Sequence, residues 1–231
     1  FKLDFSDYSA DLDTKENNER FFAGIPNVPN KKKDSMAIYL LFIQHIMHSL
    51  TTRGKAAIVV PTGFITAQSG IDKKIRQKMV ESKMLAGVVS MPSNIFATTG
   101  TNVSILFLDA TNKGDVVLID ASHLGSKVKE GKNQKTLLSE TEEQQIIDVF
   151  NKKEVIDDLS VVVAYDDIKA KNYSLSAGQY FEIKIEYTDI TPDEFKTKIK
   201  DFENKLDNMF KESDSIKKQI KSNLQNIKYE S

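Results

Sequence analysis

The sequence contains no cysteine and no tryptophan. Without cysteine, disulfides, zinc–thiolate sites and cysteine nucleophiles are excluded, and a reducing compartment fits. Long hydrophobic runs are missing too. The longest, Met36 to Ile43, is far short of the roughly 20 residues that span a bilayer, and no signal peptide stands at the start. A soluble cytoplasmic protein is therefore expected. Nor is there a basic excess: 32 Lys and Arg face 33 Asp and Glu, for a net charge of −1. Proteins that grip DNA alone usually carry such an excess, because phosphate contacts dominate their affinity. Any contact with nucleic acid should thus be local or shared with a partner.

Motifs for common chemistries are also absent. Gly54-Lys55 and Gly131-Lys132 fail as phosphate loops, with Ser49 and Ser126 where the first glycine belongs. No GxGxxG follows a strand and no GxSxG surrounds Gly63 or Gly70. His45 and His48 have helical metal-ligand spacing but no third ligand, so core histidines are expected and no metal site.

What is present is an α/β pattern in 231 residues, 40% of them hydrophobic. Residues 1–34 read as loop, with Pro26, Pro29 and Lys31-Lys-Lys33. Residues 35–50 are apolar almost all round and predict a buried helix. Ala56-Ala-Ile-Val-Val60, ended by Pro61, suits a central parallel strand covered on both faces. Residues 71–83 predict an amphipathic helix with Ile71, Ile75, Met79 and Val80 inward and Lys73, Lys74, Arg76 and Lys78 outward. Leu85 to Met91 is the next strand. Val103 to Leu108 and Val116 to Ile119, joined by a turn with Gly114, read as an antiparallel hairpin. Together these form the C-terminal half of a doubly wound, Rossmann-like sheet that ends in a hairpin.

Residues 123–137 read as a polar loop, and Ser139-Glu-Thr-Glu142 has capping-box spacing ahead of a helix to about Lys153. A strand is expected at Val161 to Tyr165. A helix begins near Pro192. Phe195, Ile199, Phe202, Leu206 and Met209, resumed by Ile216 and Ile220, trace a near-heptad stripe. Two readings stand: a helical hairpin packed on its own domain, or a coiled-coil arm that docks another subunit. The division is then a loop at 1–34, a catalytic-domain portion at 35–187 and a helical arm at 188–231.

Several stretches in order carry a resemblance: Phe42-Ile-Gln-His-Ile-Met-His-Ser-Leu50, Arg53-Gly-Lys-Ala-Ala-Ile-Val-Val-Pro-Thr-Gly63, Ile75-Arg-Gln-Lys-Met79, Gly87-Val-Val-Ser-Met-Pro-Ser-Asn-Ile-Phe96, Thr99-Gly-Thr-Asn-Val-Ser-Ile-Leu-Phe-Leu108, Asn172-Tyr-Ser-Leu-Ser176 and Gln179-Tyr180. From about residue 20 onward the chain resembles the modification subunits of type I restriction-modification systems, which are adenine-N6 DNA methyltransferases. The resemblance implies S-adenosylmethionine as cofactor, DNA as substrate, and a specificity subunit and a restriction subunit as partners, with the helical arm as docking element. It also implies an upstream glycine-rich donor loop and an Asn-Pro-Pro-aromatic tetrad. Neither is complete here. The chain opens at Phe1-Lys-Leu-Asp-Phe5 without an initiating Met, which reads as a fragment whose Phe1 is the aromatic member of that tetrad or an ordinary loop residue.

A base inside a duplex must be flipped out to be methylated. By resemblance Phe96 would stack on the flipped adenine; packing in the core is the other reading. Asn94, Thr99, Gly100 and Thr101 would line the same loop, with Pro61 leaving the neighbouring strand end. Lys73, Lys74 and Arg76 would touch phosphates or form an ordinary solvated face. Rival readings are a non-catalytic assembly module that works through the C-terminal helix, and an unrelated nucleotide-binding enzyme.

Overall fold

The computed structural model describes residues 1–96, 101–182 and 190–225. The apolar runs become a five-stranded sheet: β1 (Lys55–Pro61), β2 (Leu85–Ser90), β3 (Val103–Asp109), β4 (Val116–Asp120) and β7 (Ser160–Val163), in the order β1-β3-β2-β4-β7. Only β2 and β4 pair in parallel. β3 runs antiparallel between β1 and β2, and β7 pairs antiparallel with β4.

The expected hairpin between Val103–Leu108 and Val116–Ile119 does not form. The turn after β3 passes beneath β2 instead of folding back, because Asn112 donates to the Leu85 carbonyl at the start of β2 (2.9 Å) and to the Tyr165 hydroxyl (2.9 Å). β4 is thereby delivered to the far side of β2, where it can only run parallel. The expectation for β1 also changes. It lies at the edge of the described sheet, with Ile58 and Val60 buried and Val59 39% exposed on the other face.

Strand alternation divides the core in two. On one face Val60, Val88, Leu106 and Leu118 pack with α2 (Tyr39–Ser49), α3 (Gly63–Thr66), α4 (Gly70–Glu81) and α6 (Tyr165–Ala170), through Ile43, Phe64, Ile65, Ile75, Met79 and Ile168. On the other, Val89, Val117 and Ile119 pack with Val149 of α5 (Glu140–Lys152). Gly87 belongs to this second face: a Cβ there would lie 2.5 Å from the Phe150 ring and 2.7 Å from the Val117 carbonyl, so only glycine lets α5 settle on the sheet. The capping box of α5 forms as its spacing requires, with Ser139 and Glu142 exchanging hydrogen bonds.

α2 is less buried than its composition implies. Phe42, His45 and His48 are exposed, so the histidines are not core residues. Its inner face carries Gln44, fully buried and satisfied: the side-chain oxygen accepts from Ala23 N–H (2.8 Å) and the amide donates to the Gly24 carbonyl (3.1 Å). This bond ties down the first 38 residues, which hold a short helix, α1 (Ser9–Leu12), and bury Phe5, Phe21 and Met36 against Leu41.

Arg76 is the clearest correction to the outward face read for α4. It is fully buried, and its guanidinium donates to the carbonyls of Phe64, Ala67 and Tyr173. Five donors in a fixed fork suit a place where several chain segments end with unpaired carbonyls. Lys74 and Lys78 remain exposed; Lys73 is half-buried and donates to Asn172.

Residues 123–137, read as loop, contain a hairpin of β5 (Ser126–Glu130) and β6 (Asn133–Leu137) that turns at Gly131, φ +62°. The chain divides into two units, Phe1–Glu182 and Ile183–Ser231. In the second, α7 (Pro192–Gln225) is one continuous helix of 34 residues, capped by Thr191 and Glu194, which excludes the helical-hairpin reading. Its apolar stripe is exposed along its length, and no helix among the described residues is long and apolar enough to cross a membrane.

Arg76→Leu should lower unfolding stability by about 2–4 kcal/mol, because it strands buried carbonyls on three segments. Arg76→Lys should recover only part of this, since an ammonium cannot span the fork. Urea unfolding of the intact protein tests both, and an unchanged midpoint for Arg76→Leu would contradict the role given to the guanidinium.

Candidate functional site

Because β3 is reversed, its first residue meets the last residues of β1 and β2 at one end of the sheet. Pro61 of β1 stands opposite Val103. Just beyond, Thr62 N–H donates to the Asn102 carbonyl (2.8 Å), Met91 N–H to the Val103 carbonyl (3.0 Å) and Ala121 N–H to the Ser90 carbonyl (2.9 Å). The hydroxyls of Thr62 and Ser104 lie 3.3 Å apart. The turn after β1, the loop after β2 and the exit of β4 are thus tied together at the carboxyl ends of the strands, where open α/β sheets bind ligands.

Among the residues expected to form a site, Pro61 ends β1, and Asn94, Phe96 and Thr101 belong to the loop after β2. Thr99 and Gly100 lie outside the described residues. Thr101 is exposed. Asn94 takes a left-handed backbone, φ +57°, which asparagine tolerates better than most residues. That conformation presents its carbonyl to the Thr136 N–H of β6 (2.9 Å), while the Thr136 hydroxyl donates to the Ser93 carbonyl (2.6 Å). The side chain of Phe96, two residues on, is 46% exposed and, among the described residues, joins none of the packed clusters.

Phe1 is linked to α3 through rings and, among the described residues, has no ring contact with Phe96. It meets Tyr39 edge-on at 6.1 Å, and Tyr39 meets Phe64 edge-on at 6.3 Å, three residues beyond Pro61. The Tyr39 hydroxyl donates to Asp72 (2.9 Å); burial first, and the Asp72 charge second, push its pKa well above the ordinary phenol value. Phe1 itself is 42% exposed, and a backbone bond from Leu3 to Met36 (3.1 Å) fixes its strand of chain.

The helix-face residues separate from this cluster. Lys73 and Lys74 lie on α4, and Arg76 is enclosed by α3 and the 172–175 segment. Burial lowers the Arg76 pKa to about 10, against the opposing pull of Asp72, so it stays charged at neutral pH. Asn172-Tyr-Ser-Leu175 acts as a clamp: Asn172 bridges Lys73 and Gln68, Tyr173 gives Arg76 its carbonyl, and Leu175 N–H donates to the Ile65 carbonyl (3.0 Å).

Sequence reasoning missed Thr136 and the whole β5–β6 hairpin. A signal was available in its first strand: polar and apolar residues alternate through Lys127-Val-Lys129 ahead of Gly131.

Comparison with known proteins places this geometry. Residues 3–189 match the family model described as N-6 DNA Methylase. The methylase subunit of the type I restriction enzyme MpnII from Mycoplasma pneumoniae is 31% identical over 202 residues, which cover 87% of this chain and 34% of that protein. The HindI methylase subunit from Haemophilus influenzae is 24% identical over 82% of this chain and 43% of its own length. The chain therefore spans less than half of the curated relatives it matches. The crystal structure of a type I restriction-modification methyltransferase subunit from Streptococcus thermophilus superposes with a TM-score of 0.61 at 23% identity, over 79% of this chain and 36% of that one, and so shares the fold. The match across residues 3–189 shows that the chain belongs to the N-6 DNA methylase family, and the relatives named here are methylase subunits of type I restriction enzymes.

Proposed function

We propose that this chain is the target-base and assembly portion of a site-specific adenine-N6 DNA methyltransferase of a type I restriction-modification complex. The observation that carries the reading is the half-exposed Phe96, held on an anchored loop at the carboxyl end of the sheet in a chain of the N-6 DNA methylase family. A flipped adenine needs a flat apolar surface that is free in the resting protein and fixed in position. Phe96 offers such a surface, and the bonds from Thr136 to Ser93 and Asn94 hold the chain two residues before it. Asn94 and Thr101 would offer hydrogen-bonding groups at the rim, Pro61 an apolar wall, and Phe1 a further ring.

S-adenosylmethionine would supply the methyl group when bound. Among the described residues no glycine-rich strand-to-helix turn stands ready as its cradle, and the open groove of about 440 Å³ beside α2 is mostly apolar, with Asp4, Asp11, Arg20 and His45 in its lining. We assign donor binding to the remainder of the whole protein and the holding of the base to the residues here.

The reading as an assembly module rests on a separate observation. α7 exposes Phe195, Ile199, Phe202, Leu206, Met209 and Ile216, a near-heptad apolar stripe suited to packing against another helix. We assign it to docking on the specificity subunit, within a complex that also includes the restriction subunit. Both roles can belong to one chain.

In the whole protein assembled with its partners, Phe96→Ala should lower kcat/KM for DNA methylation by about 5- to 150-fold, the value of one stacked base at about 1–3 kcal/mol, and Phe96→Tyr should restore most of it. Equal kcat/KM for Phe96→Ala would remove the ring from the base site. This chain alone should transfer no methyl group to DNA from labelled S-adenosylmethionine; measurable transfer would overturn the division of the donor and base sites. Phe202→Asp with Leu206→Asp should abolish co-purification with the specificity subunit and leave the melting of the first unit unchanged. Retained co-purification would rule out the stripe as the docking face.

A further inference from the structure

Residues 123–137 hold four lysines and one glutamate, in a chain whose net charge is −1. The fold gathers these lysines on the β5–β6 hairpin and attaches that hairpin to the candidate site. Lys127, Lys129 and Lys132 are exposed. Lys127 is paired in register with Thr136, and Lys129 with Gln134. Cross-strand partners project from the same face, so Lys127 and Lys129 stand on the face from which Thr136 holds the loop of Ser93, Asn94 and Phe96. Lys132 lies at the turn.

The base of the hairpin is braced from the other side. Gly125, at φ +84°, donates its N–H to Glu142 of α5 (2.8 Å), whose carboxylate also accepts from Ser139 N–H (2.7 Å). These bonds, led by the Ser139 N–H, hold the Glu142 carboxyl below its ordinary pKa. A Cβ on Gly125 would lie 2.7 Å from the Thr136 methyl, so this close approach requires glycine. A two-stranded ribbon with little core of its own is marginal unless tied down. This one is tied at its base to both α5 and the Phe96 loop, and its far end is left polar and basic.

We propose that the β5–β6 hairpin is a phosphate-binding finger: Lys127, Lys129 and Lys132 contact the backbone of duplex DNA beside the base that Phe96 receives. The inference rests on the proposed function for the choice of DNA as the polyanion. A five-residue strand reaches about 16 Å, and duplex DNA presents a charge about every 1.7 Å along its axis, so the finger spans enough backbone for all three lysines. Lysine on a short ribbon makes charge contacts without base readout, so binding through the finger is independent of DNA sequence.

The test is DNA binding by the whole assembled complex, read as log Kd against log salt concentration. With Lys127→Gln, Lys129→Gln and Lys132→Gln combined, the slope should fall by about 2–3, near 0.9 for each phosphate that is no longer neutralised. The weakening should be equal on cognate and non-cognate duplexes, and the corresponding triple arginine variant should keep the wild-type slope. An unchanged slope in the glutamine variant overturns the finger, and so does loss of partner subunits at an unchanged slope, which would mark the hairpin as a protein-binding element. Methylation by the wild-type complex is followed in the same samples. Methylation with no change of slope in the variant refutes the finger alone; a reduced slope in a complex that never methylates supports the finger and refutes the proposed function.

Discussion

The candidate site depends on the reversal of β3. A strand that enters antiparallel between two others brings its first residue to the place where its neighbours end, so one strand start and two strand exits share an edge. Three backbone hydrogen bonds at that edge, from Thr62, Met91 and Ala121, convert separate connections into a single surface. The path out of β3 is set at the opposite end of the sheet. Asn112 holds the outgoing turn to the first residue of β2, which prevents β4 from folding back on β3 and leaves the β2–β4 pair parallel. The polar anchor under the sheet and the loop cluster above it are thus two consequences of one path.

Arg76 fixes the second layer in the same manner. Short α3 and the 172–175 segment carry carbonyls with no helix or strand to receive them, and one buried guanidinium answers Phe64, Ala67 and Tyr173 together. A buried charge is costly unless its donors are used. Here several are used, and the face of the Phe64 ring lies 5.8 Å from the guanidinium carbon. That ring is in turn the end of the aromatic series from Phe1. The N-terminal residue is therefore linked to α3 by way of packing that Arg76 stabilises.

The elements legible in the sequence are those whose signal is local. The β-rich run before Pro61, the capping box at Ser139 and the heptad stripe of α7 each appear where their pattern places them, because period and cap are properties of neighbouring residues. Strand pairing is not local. A short glycine turn after β3 looks like a hairpin, and only the distant Leu85 carbonyl decides otherwise. Arg76 looks outward because three cations flank it on α4, and its acceptors lie 9 to 97 residues away. The β5–β6 hairpin escaped for the opposite reason. Its alternation is local, but an exposed ribbon buries too little apolar surface to stand out from a loop. Phe96, Asn94 and Pro61 entered the candidate site through resemblance alone, while Thr136, which holds the loop of Ser93 and Asn94, carried no such signal.

The charge of the chain is best understood through position rather than sum. A total of −1 argues against a protein that binds DNA over its whole surface. It does not argue against one that meets DNA at a single edge. Potential at a binding surface is set by charges within about a Debye length, roughly 8–10 Å, so charges on distant elements count for little there. The exposed lysines of the hairpin stand on the ribbon that holds the Phe96 loop, where they count most. α7 nearly balances its charges and shows an apolar stripe, which favours contact with protein over contact with phosphate. One edge suited to an anion and one helix suited to a partner account for a near-neutral chain better than a uniform distribution of either property would.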